Sequence, residues 1–62
     1  MIQIATYTKD GNVEYSQHYD SLWAANIMAY TFAKNYADVV ATEVIEWDGN
    51  REAGKILKTY TK

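Results

Sequence analysis

Tyr19–Asp38 reads YDSLWAANIMAYTFAKNYAD, and it divides a 62-residue chain between two copies of the triplet Asp-Gly-Asn. The stretch holds no glycine or proline and is rich in alanine, so nothing in it breaks a helix. Asp20 or Ser21 supplies an N-cap, and Lys34 sits where the negative end of the helix dipole favours a cation. We predict a helix over Ser21–Tyr36. At ~1.5 Å per residue it spans ~24 Å, the length of a seven-residue strand at ~3.3 Å per residue. At 100° per residue, Leu22, Ala25, Ala29, Ala33 and Tyr36 share one stripe, flanked on one shoulder by Met28 and Phe32 and on the other by Trp23, Ile27 and Tyr30. Ala24, Thr31, Lys34 and Asn35 make the polar side. That apolar arc is wider than one sheet face can easily cover.

On either side of the helix the Asp-Gly-Asn triplets lie among alternating apolar residues, a strong short-range hairpin signal. A two-residue Asp10-Gly11 loop pairs Thr8 with Val13, Thr6 with Tyr15, Ile4 with Gln17 and Ile2 with Tyr19. That register gathers Ile2, Ile4, Val13, Tyr15 and Tyr19 on one face, and a slip of one residue would scatter the set. A three-residue Asp48-Gly49-Asn50 loop pairs Trp47 with Arg51, Ile45 with Ala53, Glu43 with Lys55 and Ala41 with Leu57. One face of this hairpin then holds Val39, Ala41, Ile45, Trp47, Ala53 and Leu57, and the other holds Val40, Val44, Ile56 and Tyr60. Gly54 marks either a bulge or a loop that runs further.

The layout is ββαββ, an α+β fold with one helix across one face of a four-stranded sheet. A right-handed crossover sets strands one and four side by side and parallel, in the order 2-1-4-3. This sequence of elements resembles the immunoglobulin-binding domains of streptococcal protein G and other small β-grasp domains. The resemblance covers the order and lengths of the elements along the chain. It implies the fold alone, because no stretch matches the binding motif of those domains.

Composition narrows function by exclusion. Residues 1–62 form one compact domain, of a size that buries only ~60% of the surface its unfolded chain exposes. There is no cysteine and a single histidine, His18, so neither disulfides nor a common zinc site staples it. Stability rests on packing or self-association, which six Tyr, two Trp, one Phe and an apolar content of 48% can supply. Six Lys/Arg against eight Asp/Glu leave a net charge of −2 without a basic stripe, which disfavours nucleic acid. No signal-peptide pattern or membrane-spanning apolar run is present. We expect a cytoplasmic protein, complete as written.

Catalytic groups are missing as well. His18 has no cysteine or second histidine to work with and falls on the solvent face with Gln3, Glu14 and Ser16. Glu43, Glu46, Asp48 and Glu52 gather around the second turn as a solvated loop, and WDGN lacks the alternating ligands of a calcium loop. No enzyme activity, cofactor or metal is expected. If the face carrying Ile2, Ile4, Ile45, Trp47 and Leu57 meets the helix, then Tyr7, Val40, Val44, Ile56 and Tyr60 form an exposed patch on the outer face. Together with Trp23, Ile27 and Tyr30 on the helix, these residues are the candidate contact surface. The expectation is a non-catalytic protein-interaction module: a homodimer, or a small regulator or inhibitor of a larger protein, of the kind common in phage and mobile elements. A single-strand nucleic-acid binder stacking bases on Tyr7 and Tyr60 and a purely structural role are the alternatives.

Overall fold

The computed structural model describes residues 1–47 and 54–62. Its elements are β1 (Ile2–Thr8), β2 (Val13–Tyr15), α1 (Leu22–Asn35), β3 (Val39–Trp47) and β4 (Gly54–Thr61). The predicted ββαββ order and α+β class are present, with one four-stranded sheet and one helix. Ser21 caps α1, its hydroxyl accepting from the Ala24 amide at 3.3 Å. Lys34 lies in the last turn.

The strand order corrects the expectation. The sheet runs β2-β1-β3-β4, and every neighbouring pair is antiparallel. Strands one and four are therefore not neighbours, and the sheet departs from the β-grasp order. From β2 the helix carries the chain across β1 and sets β3 on its far edge. There β3 forms a ladder along all of β1, from Ile2 opposite Glu46 to Thr8 opposite Val39. Ile4 falls opposite Val44 and Thr6 opposite Thr42. Directly opposed residues share a face, so the helix side of the sheet is set by Ile2, Ile4, Thr42 and Val44.

The hydrophobic core follows from that pairing. Ile2, Ile4 and Val44 pack against Ala25 and Ala29, with Tyr19, Met28, Phe32 and Tyr60 around them. Ala25, Ala29 and Ala33, spaced by four, are fully buried, whereas Leu22 and Tyr36 at the two ends of the predicted stripe are exposed, because they lie at the helix termini beyond the centre of the sheet contact. Such small side chains let the helix lie close to the sheet. The buried Thr42 hydroxyl accordingly reaches the helix backbone and donates to the Ala29 carbonyl at 2.8 Å.

Both hairpin registers differ from expectation. In the first, Tyr7 pairs with Val13 and Ala5 with Tyr15, one residue away from the predicted pairing. A two-residue type I′ loop needs positive φ at both central positions. Only Gly11 adopts it, at 91°, while Asp10 does not. The loop therefore widens, closed by Thr8 N–H to the Asn12 carbonyl (2.9 Å) and Gly11 N–H to the Thr8 carbonyl (3.1 Å). The slip carries Val13 and Tyr15 to the face away from the helix. Beyond β2 the Ser16 hydroxyl accepts from the Ile4 amide at 2.8 Å in place of a backbone carbonyl. That irregularity restores the predicted Ile2–Tyr19 bridge and returns Tyr19 to the core.

In the second hairpin Trp47 pairs with Gly54, Ile45 with Ile56, Glu43 with Thr59 and Ala41 with Thr61. The predicted loop Asp48-Gly49-Asn50 lies outside the described residues, with Arg51 and Ala53. Two irregularities change the face of residues within a strand. Val40 is the extra residue between Tyr7–Ala41 and Thr8–Val39, and Leu57 is the extra residue between Val44–Lys58 and Ile45–Ile56. A bulge shifts every residue beyond it by one position. Val39 is thus buried at the helix side while Val40 is exposed.

Candidate functional site

The outer-face patch expected from sequence does not form as one surface. Val44 is fully buried against the helix and Tyr60 packs onto the core. Tyr7, half-buried, and Ile56, 53% exposed, do lie on the outer face, and Val40 stands exposed at its bulge. Opposition of Val44 to Ile4 decides the matter, since those two side chains must leave the sheet on the same side.

The outer face has an organisation that sequence reasoning missed. Tyr15 and Trp47 approach across β1, their ring centroids 6.5 Å apart. Trp47 also lies over Gly54, where an added Cβ would come 2.7 Å from the ring. A glycine inside a strand opposite a tryptophan was the available signal, because the ring needs the missing side chain's space. Ala5 is fully buried on this face, and Ile45 nearly so. The Tyr7 hydroxyl donates to Glu43 Oε1 at 2.6 Å. That bond, then burial and the carboxylate's charge, hold the Tyr7 pKa above its ordinary value. Glu46, next to Ile45 in sequence, belongs to the opposite face, so Glu43 and Glu46 do not form a carboxylate pair. His18 is exposed. Among the described residues, no group of three or more His, Asp or Glu could hold a metal ion.

The helix shoulder is where predicted contact residues come together. Trp23, Ile27 and Tyr30 are 74%, 43% and 53% exposed and follow one another along α1. With Asn26, Thr31 and Tyr60 they line a groove of about 270 Å³ between the helix and β4. Tyr30 meets Tyr60 edge-on, with centroids 5.8 Å apart and planes at 86°. Each ring carries a lysine. The Lys34 ammonium lies 5.7 Å from the Tyr30 centroid and the Lys58 ammonium 5.8 Å from that of Tyr60. Lys34 is further held by donating to the Thr61 carbonyl at 2.8 Å. In the groove wall, the Asn26 carboxamide oxygen is shut off from solvent and has no hydrogen-bond donor among the described residues.

The other flank of the helix differs in charge. There Phe32 and Tyr36 face β2 across a cleft of about 310 Å³ that also takes in Tyr15 and the carboxylates Glu14 and Asp38. No helix among the described residues is long and apolar enough to cross a membrane. No protein-family model, curated protein or solved structure matches the chain.

Proposed function

We propose that this protein is a small non-catalytic protein-interaction module whose contact surface is the groove between α1 and β4. One observation carries the reading. Trp23, Ile27 and Tyr30 form a continuous row of large exposed side chains that no other part of the described chain covers. Tryptophan and tyrosine supply rigid contact area with a polar tip, and they dominate binding energy when water is excluded around them. A contiguous patch of this kind marks an association site, whereas scattered single residues do not.

The test uses two binding partners, the chain itself and a displayed library of random peptides. Solution mass is measured across concentration for the wild type and for Ile27→Asp, with circular dichroism as the check on folding. The library is then selected against both proteins. Association of either kind that is present in the wild type and lost in folded Ile27→Asp supports the reading. A wild type that stays monomeric and enriches no Ile27-dependent peptide refutes it.

A further inference from the structure

We infer that the groove takes an acidic, extended peptide segment, which adds as a fifth strand to the open edge of β4. The inference rests on the interaction-module reading and adds to it the chemistry and geometry of the partner.

Strand β4 is eight residues long and, among the described residues, outermost in the sheet and paired only with β3. One row of its backbone N–H and C=O groups is therefore turned away from β3, which is the template for strand addition. The edge has a defined charge. Lys55 and Lys58 are exposed on it, and no acidic residue occurs within Gly54–Thr61. Lys55 faces Glu46 on β3, whereas Lys58 and Lys34 stand over the tyrosine rings of the groove wall. Carboxylates on an incoming strand would meet those ammonium groups.

The charge also decides against a second copy as the occupant. Two β4 edges paired antiparallel would bring lysine rows together, and like charges across a strand pair are destabilising. The other free edge, β2, has three residues against the eight of β4. An acidic peptide avoids both problems.

The groove defines the rest of the ligand. Side chains on a strand alternate between faces, so a peptide along β4 turns every second residue toward the helix side. An apolar residue there enters the space between Trp23, Ile27, Tyr30 and Tyr60. Lys55 and Lys58 stand opposite Glu46 and Val44 and so share the helix side with the groove. The ligand class is therefore a segment whose helix-facing positions, every second residue, carry both Asp or Glu and bulky apolar side chains.

The probe is an end-blocked octapeptide in which every second residue is Thr and the positions between them alternate Glu and Leu, so that Glu and Leu share one face of the strand. Its Lys-for-Glu counterpart and an oligothymidylate serve as the competing chemistries. Binding is followed by Trp fluorescence and by amide exchange in the full chain. We expect the Glu peptide to bind, to slow exchange of amides within Gly54–Thr61, and to lose at least tenfold in affinity in Lys55→Glu/Lys58→Glu. Equal binding of the Lys peptide, exchange protection on β2 in place of β4, or displacement by oligothymidylate overturns the inference. Library peptides that depend on Ile27 but not on Lys55 and Lys58 also overturn it while leaving the interaction module standing. Absence of any Ile27-dependent binding removes both.

Discussion

Val44→Ala tests which side of the sheet is the core. Val44 is fully buried among Ile2, Ile4, Ala25 and Ala29. The substitution deletes two methyl groups, worth about 1.6 kcal/mol in transfer at ~0.8 kcal/mol per carbon, and incomplete collapse of the space raises the loss to about 2–3 kcal/mol. A single core in a domain of this size rarely supplies more than ~3–5 kcal/mol in total. Half or more of the stability should therefore disappear. With a urea slope near ~1 kcal/mol/M, the midpoint followed by far-ultraviolet circular dichroism moves down by about 2–3 M. Ile56→Ala is the internal control, because Ile56 is 53% exposed on the outer face and should cost less than ~1 kcal/mol. Val44→Lys should not fold at all, since its ammonium would have no partner in the core. If Val44→Ala costs no more than Ile56→Ala, the assignment of faces is wrong.

Four further outcomes are expected. Gly11→Val should cost more than ~1 kcal/mol in urea unfolding purely through backbone strain, because φ is 91° there and nothing lies within 4 Å of an added Cβ. Gly54→Ala should cost ~1–3 kcal/mol for the opposite reason, a steric clash with Trp47 and Ile45, and should change Trp fluorescence as the ring is displaced. Ser21→Ala removes the N-cap acceptor of the Ala24 amide and should lower stability by ~1 kcal/mol, with reduced helical ellipticity before the transition. The Tyr7 pKa is raised in the folded state, so its contribution is fully present below pH ~10 and is lost as pH rises through the raised value. The stability gap between wild type and Tyr7→Phe should thus narrow in strong alkali, and a gap that stays constant rules out the Glu43 hydrogen bond as its source.

How far the sequence could be read depended on the kind of signal each element carries. The helix was legible because three alanines at intervals of four, a serine cap and the lack of breakers all agree. The shoulder row of Trp23, Ile27 and Tyr30 was legible for the same reason, since helical spacing alone brings those residues together. Strand faces were not. Both faces of the second hairpin carry apolar residues at period two, so Val44 with Tyr60 and Ile45 with Trp47 compete equally for the core. What decides is the partner strand, through Ile4 opposite Val44, and pairing between distant strands leaves no local mark. The bulges at Val40 and Leu57 carry no glycine or proline to announce them, yet each reverses the alternation beyond it. In the first hairpin Asp-Gly correctly marked a turn. Its register then depended on whether Asp10 would join Gly11 at positive φ, which composition does not reveal.

The close approach of helix and sheet shapes the rest of the surface. An alanine spine, with the Thr42 hydroxyl reaching the Ala29 carbonyl, brings the helix axis near the strands. A helix so placed cannot bury large residues on both shoulders, and its aromatic side chains overhang the sheet on each flank. On the β2 flank the overhanging rings, Phe32 and Tyr36, share a cleft with Glu14 and Asp38. On the β4 flank Tyr30 and Tyr60 meet Lys34 and Lys58. The two lysines come from different elements and lie far apart in sequence, so no basic stripe is visible in the chain. A net charge of −2 therefore describes neither flank. Ions separated by more than ~8–10 Å at physiological ionic strength are largely screened from one another. A partner docking at β4 would respond to the lysines beside it and only weakly to the carboxylates on the opposite edge.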